Sequence, residues 1–222
     1  MKHQKISLAV DLLLFTIIED KLQLLLTKRK EEPFADMLCL PGVAVFEEET
    51  LYDATNRCLV EKTGIKEKIY MEQLYTFGDD LNRDPRNRVV SVSYYALIPE
   101  AKLMAYIDNM SPDAHFYDVN KILAKKTKLA YDHREIIRLA RERLKGKADY
   151  TSIGVSLCDD EFTLPDLQKV YEVLLDKNLY KANFRKAFAD VVEETGNMRR
   201  DGAYRPSKLY RYIGDKDAHL HI

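Results

Sequence analysis

The sequence predicts an α+β protein in two units. The larger is a mixed sheet sandwiched between helices. The smaller is a helical unit that ends in a basic hairpin. Three observations predict it. Residues 6–28 hold two long apolar runs joined by the polar turn Glu19-Asp20-Lys21, the pattern of a buried hairpin. Strand-like and helix-like stretches then mix up to about residue 147, without the strand–helix–strand rhythm of a parallel sheet. Beyond that point, two helical stretches separated by a short turn lead into a ribbon rich in Arg and Tyr.

The elements follow in order. ISLAVDLLLFTII and LQLLLTKRK read as paired strands. EEPFADMLCLPGV is irregular, broken by Pro33 and Pro41. From Thr50 to Thr63 the spacing of Leu51, Ala54, Cys58 and Leu59 is helical, with Thr50 as cap and Gly64 as stop. KIYMEQLYTF and RVVSVSYYALIP alternate as strands around the polar loop GDDLNRDPRN. HFYDV is a short strand, and YDHREIIRLARERLKGK is an amphipathic helix with a basic end. Asp132 and His133 start that helix, and His133 reads as a capping or surface histidine.

KADYTSIGVSLCDD has no strong periodicity. It marks a boundary between residues 1–147 and residues 148–222. FTLPDLQKVYEVLLDK follows, with Thr163 as N-cap, Pro165 in the first turn and Asp166 completing the cap. KANFRKAFADVVEETG reads as the next helix, and MRRDGAYRPSKLYRYI as a two-stranded ribbon turning at Gly202. Helix, turn, helix, basic hairpin is the layout of a winged helix-turn-helix.

Composition narrows the classes. The chain has 222 residues, 46% hydrophobic and 32% charged, with net charge −1. No whole-chain charge points to nucleic acid, so any such footprint must be local. Cys39, Cys58 and Cys158 form no C-x-x-C pair. A disulfide framework and a zinc site are therefore not expected, and a reducing cytoplasm is. The apolar run at 6–18 is interrupted by Asp11 and followed by Glu19-Asp20. It lacks a cleavage site and is too short to span a bilayer.

The stretch around Arg57 carries a resemblance to the Nudix hydrolases. Their box reads G-x5-E-x7-R-E-U-x-E-E-x-G-U, with U a bulky aliphatic. In register with Gly64 and Ile65, Glu49 takes the first Glu, Arg57 the Arg, Leu59 the aliphatic place and Glu61 the first of the Glu pair. LPGV at 40–43 is similar to the L-P-G-G entry. Val43, Cys58 and Lys62 depart from the pattern. The family's carboxylates share one helix face and bind Mg²⁺ or Mn²⁺. Here that face would present Cys58, Glu61 and Lys62, a thiol and an ammonium where a hard cation needs oxygens. The resemblance therefore implies a degenerate box with no catalytic residue, no metal and no cofactor.

Nearly the whole chain resembles the Nudix-related transcriptional regulators of the NrtR and AraR kind. KRKEEPF (28–34), TFGDDLNRDPRNRVVSVSYYALIP (76–99), FTLPDLQKVYEVLLDKNLYKANFRK (162–186) and RPSKLYRY (205–212) carry it. It implies an effector-sensing Nudix-like domain that takes ADP-ribose-like molecules or a pentose. It also implies a winged helix that binds double-stranded operator DNA as a homodimer. Arg29, Arg57, Glu61, Arg83, Asp84 and Arg88 are the candidate effector residues. Arg29 stands at the expected pocket mouth, and the Arg83–Arg88 loop could hold phosphates, sugar hydroxyls or carboxylates, or be a salt-bridge cluster that shapes the loop. Lys181, Asn183, Arg185 and Lys186 on the recognition helix are the candidate DNA residues, with Arg199, Arg200, Arg205 and Lys208 on the wing. One alternative is a Nudix-type pyrophosphohydrolase with displaced acids such as Glu47, Glu48 or Glu49. Another is a winged helix that binds protein.

Overall fold

The computed structural model describes residues 5–124, 126–200 and 206–214. Strand β1 (Ser7–Ile18) lies at the centre of a seven-stranded mixed sheet. Its apolar residues face two ways. Leu12 and Leu14 pack in one buried cluster, Leu13 and Phe15 in another, as the two-residue period of a strand requires. The expected hairpin to β2 (Lys21–Lys28) forms, turning through Glu19 and Asp20 at φ 49° and 60°.

The breakers at Pro33 and Pro41 leave two short strands, β3 (Leu38–Cys39) and β4 (Gly42–Ala44). One edge of β1 is shared. Residues 15–18 pair with β2, while Ala9–Asp11 pair with β4. The sheet is therefore split beside Asp11, and the main cleft opens there. Helix α1 (Leu51–Thr63) has the expected Thr50 capping box with Asp53 and a left-handed Gly64 at φ 75°. We expect Thr50→Ala to lower stability by about 1 kcal/mol, measured by urea unfolding, because it removes the hydroxyl that accepts from the Asp53 amide, while the Thr50 amide keeps its bond to the Asp53 carboxylate.

The outer strand β5 (Tyr70–Phe77) pairs antiparallel with β6 (Val89–Leu97), which pairs parallel with β1. Short helix α2 (Glu100–Met104), strand β7 (Ala114–Asp118) and helix α3 (Val119–Leu123) complete this part. Helix α4 (His133–Tyr150) covers the sheet face opposite α1, through Ile136, Ile137, Ala140 and Leu144. Helix, sheet, helix is the expected three-layer sandwich.

The segment after α4 is not an exposed connection. Ile153–Leu157 form a buried 3₁₀ turn in the same core as α4. Helix α5 (Leu164–Leu175) starts at the predicted Thr163–Asp166 capping box. Helix α6 (Lys181–Phe188) is shorter than the sequence suggests. The β-branched Val191 and Val192 leave the helix, and β8 (Val192–Arg199) pairs with β9 (Ser207–Tyr212). Strand pairing here overrides a helical pattern. Tyr171, Phe184 and Phe188 stack with centroids 4.7–5.7 Å apart and fix α6 against α5. They belong to the cluster that also holds Leu13 and Ile137, so one core spans both units. No helix among the described residues is long and apolar enough to cross a membrane.

Candidate functional site

A cleft of about 740 Å³ lies where β1 parts from β2, within the size range of small-molecule sites. Its floor is Asp11, placed by β1 and 7% exposed. Ser91 on β6 donates to Asp11 Oδ2 at 2.5 Å, and Arg83 Nη2 stands 3.7 Å from the same oxygen. Gly42 is required here, because a Cβ would lie 2.7 Å from Asp11 Oδ1 and 2.9 Å from the Val10 carbonyl. His133 is 4% exposed. Its Nδ1 accepts from the Leu40 amide at 2.9 Å, which leaves the proton on Nε2, 3.8 Å from Asp11 Oδ1. Burial lowers its pKa, so the ring is neutral near pH 7. His133 is thus a buried bracing residue, not the surface or capping residue its place in the sequence suggests.

The rim is cationic. Arg29 and Lys62 line the cleft, and the charge of each reaches the buried Cys39 thiol. Among the described residues the Arg29 guanidinium donates to the Pro33 and Glu31 carbonyls alone, at 2.8 and 3.3 Å. Among the described residues neither cation has a carboxylate partner. Tyr131 lies beside Arg29, 5.0 Å from ring centroid to guanidinium carbon, with Phe34 on it edge-on at 4.8 Å. Arg83 is held by both oxygens of Asp132 at 2.7 and 2.8 Å. Arg86 is held by Asp84 at 2.6 and 3.0 Å. The Arg83–Arg88 loop therefore shapes itself with salt bridges and also forms cleft wall.

Of the six candidate effector residues, Arg29, Arg83 and Asp84 line the cleft; Arg57, Glu61 and Arg88 do not. Arg88 donates to the Gly78 and Asp80 carbonyls and braces its own loop. Arg57 is bidentate to Glu49 at 2.7 and 3.1 Å, reaches Glu61 at 3.3 Å and the Ala44 carbonyl at 2.8 Å, and lies over Phe46. Sequence reasoning missed Asp11, Lys62, Tyr131 and His133 as cleft residues. A lone Asp inside an apolar strand was the one available signal.

The residues do not fit the divalent metal of the Nudix box. Cys58 is fully buried with Leu59 and Ile65 rather than presented to the cleft. Burial pushes its thiol up to about 12, so it is not a thiolate ligand at neutral pH. Glu49 and Glu61 are engaged by Arg57, and Lys62 puts an ammonium on the cleft wall.

The second site is α6. Lys181, Asn183, Arg185 and Lys186 are all directed to solvent, while Phe184 and Phe188 anchor the opposite face. None of these three cations has an ion-pair partner among the described residues. Tyr180, at the helix start, is 84% exposed. The ribbon differs. Arg199 is paired with Asp166 at 2.9 Å and Lys208 with Glu194 at 2.8 Å. Arg211 is paired with Glu193. Arg200 is exposed, and Arg205 lies outside the described residues.

Comparison with known proteins assigns two parts of the chain to two families. Residues 8–140 match the NUDIX domain family, and residues 154–212 match the NrtR DNA-binding winged helix domain. A curated relative is the "ADPR responsive transcriptional repressor NtrR" of Acinetobacter baylyi. It is 37% identical over 209 residues, covering 92% of this chain and 81% of that protein. An ADP-ribose pyrophosphatase of Methanocaldococcus jannaschii is 35% identical over 122 residues, 55% of this chain and 68% of the relative. The crystal structure of Shewanella oneidensis NrtR in complex with a 27mer DNA superposes with a TM-score of 0.86 at 36% identity, covering 97% of each chain. The chain belongs to the Nudix-related, NrtR-like transcriptional regulators, with a Nudix domain followed by an NrtR-type winged helix.

Proposed function

We propose that this regulator reads operator DNA with α6 and senses an ADP-ribose-like nucleotide sugar in the cleft beside Asp11, without hydrolysing it. The observation that carries the reading is the pairing of the cations. Arg29 and Lys62 in the cleft, and Lys181, Arg185 and Lys186 on α6, are without carboxylate partners among the described residues. Arg57, the arginine of the former catalytic box, is instead bound internally to Glu49 and Glu61. Unpaired cations are what a diphosphate and a DNA backbone require. Arg83 and Asp84 form polar wall for the sugar. Arg57, Glu61 and Arg88 support the walls. Asn183 and Arg185 suit base edges, while Lys181, Lys186 and Arg200 suit phosphates. Arg199 and Lys208 must first give up Asp166 and Glu194 to reach DNA. The expected boundary between residues 1–147 and 148–222 falls in the last turn of α4, so the two working domains meet at the end of that helix. A homodimer would set two α6 helices about 34 Å apart, one DNA turn. A chain that acts on DNA belongs in the cytoplasm.

In vitro selection with the purified chain should enrich one palindromic sequence. ADP-ribose at about a hundredfold excess over its Kd should raise Tm by about 5–10 °C. No enrichment and no shift would reject the proposal.

A second reading, pyrophosphate hydrolysis, is favoured by the Methanocaldococcus relative. Glu47 and Glu48, its candidate displaced acids, are exposed in the loop before α1 and do not line the cleft. Turnover of ADP-ribose with Mg²⁺ or Mn²⁺ that Glu61→Gln abolishes would establish it.

A further inference from the structure

We infer that Arg141 is a positioning residue that couples the cleft to the DNA-reading helix through α4. The inference rests on the reading just proposed, that the cleft takes the effector and α6 takes DNA.

Helix α4 begins inside the cleft. Tyr131 and His133 line it, and Asp132 between them receives both Arg83 bonds. His133 also ties the first turn to Leu40 in the β3–β4 segment. An occupant of the cleft therefore meets the start of α4 directly. The helix is 18 residues long, about 27 Å at the usual rise. Its backbone bonds make it a strut over that length. Its buried face packs on the sheet at one end and on α5 further along.

Two turns beyond His133, Arg141 Nη1 donates to the Leu174 carbonyl at 2.6 Å, and Nη2 to the Val173 carbonyl at 3.4 Å. These are carbonyls of the last turn of α5, which no helical amide satisfies. A cation there also faces the negative end of the helix dipole. Arg141 is partly buried and has no carboxylate within ion-pair distance among the described residues. Its charge is committed to that helix end. Just past it, Asp176 adopts left-handed φ of 56°, and the chain turns into α6. Arg141 thus holds the bend that sets the direction of α6, from a helix whose first turn is cleft wall. One packed helix joining the two sites gives such coupling a contiguous path, with the α5–α6 bend as the element whose setting both sites would bias.

The test uses the full chain, a duplex selected against the wild type, and ADP-ribose. The Kd for the duplex is measured by fluorescence anisotropy with and without saturating ADP-ribose, and the Kd for ADP-ribose by calorimetry. In Arg141→Gln, both separate affinities should stay within about threefold of wild type. The ADP-ribose effect on DNA affinity should fall from about tenfold or more to below about threefold. A purely structural role for Arg141 would lower Tm and leave that ratio unchanged, and an unchanged ratio overturns the inference. Should Arg141→Gln not fold, hydrogen exchange of the wild type decides. ADP-ribose should change protection of amides 176–188, and no change there overturns the inference. A wild type whose DNA affinity ignores ADP-ribose overturns the underlying reading as well. A responsive wild type with an equally responsive variant overturns the coupling role alone.

Discussion

Replacing Lys181, Arg185 and Lys186 together by Ala is expected to lower affinity for operator DNA by at least about a hundredfold at physiological salt. Every phosphate that a side chain neutralises releases a counterion, which the variant forgoes, and an Arg on a base edge contributes about 1–3 kcal/mol of discrimination. The three side chains point to solvent on α6, with no ion-pair partner among the described residues. Their replacement should therefore leave Tm and ADP-ribose binding unchanged. The salt dependence separates their roles. The slope of log K against log salt should flatten by about 0.9 for each phosphate that is no longer neutralised. Arg199→Ala should cost less, because Arg199 is already bonded to Asp166. If the triple variant binds the operator as wild type does, the DNA surface lies elsewhere.

The second large effect belongs to the cleft. Arg29→Ala with Lys62→Ala should weaken ADP-ribose binding by about a hundredfold or more, since hydrogen bonds to charged groups contribute about 1.5–3 kcal/mol each. Both residues line the cleft without a carboxylate partner among the described residues. Removing them leaves no buried charge unpaired, so the fold should hold. DNA binding without effector should match wild type, giving a regulator deaf to its ligand. Calorimetry for the ligand and anisotropy for the DNA check the two halves. Asp11→Ala should differ in kind. It strips buried Arg83 of one acid and Ser91 of its acceptor, and should lower stability as well as binding.

Local signals made much of the fold legible. The β1–β2 hairpin, α1 with Thr50 and Gly64, and α5 with its capping box follow from patterns within a few residues of each element. The start of β8 was not legible. AFADVVEET continues a helical spacing, and pairing with β9 decides it. The cleft was legible only in part. Arg29 stands out as a cation at a predicted strand end, and Arg83 as one of a charged cluster in a polar loop. His133 meets Leu40 across 93 positions, and Arg83 meets Asp132 across 49. Such long-range bonds depend on how the sheet splits at Asp11, which no local pattern encodes. The degenerate box was the reverse case. Its residues were legible, but their geometry was not. Arg57 gathers Glu49 and Glu61 away from the cleft, and Cys58 turns into the core.

The central claim is that the cleft reads a nucleotide sugar and passes the reading to α6. The most direct test follows one sample in two ways. The full chain is bound to its selected operator, ADP-ribose is titrated in with Mg²⁺ present, and DNA occupancy and intact ADP-ribose are measured together. The account predicts that DNA affinity shifts by about tenfold or more while the ADP-ribose is recovered uncleaved. Steady conversion of ADP-ribose to AMP and ribose 5-phosphate, with DNA occupancy unmoved, would contradict it.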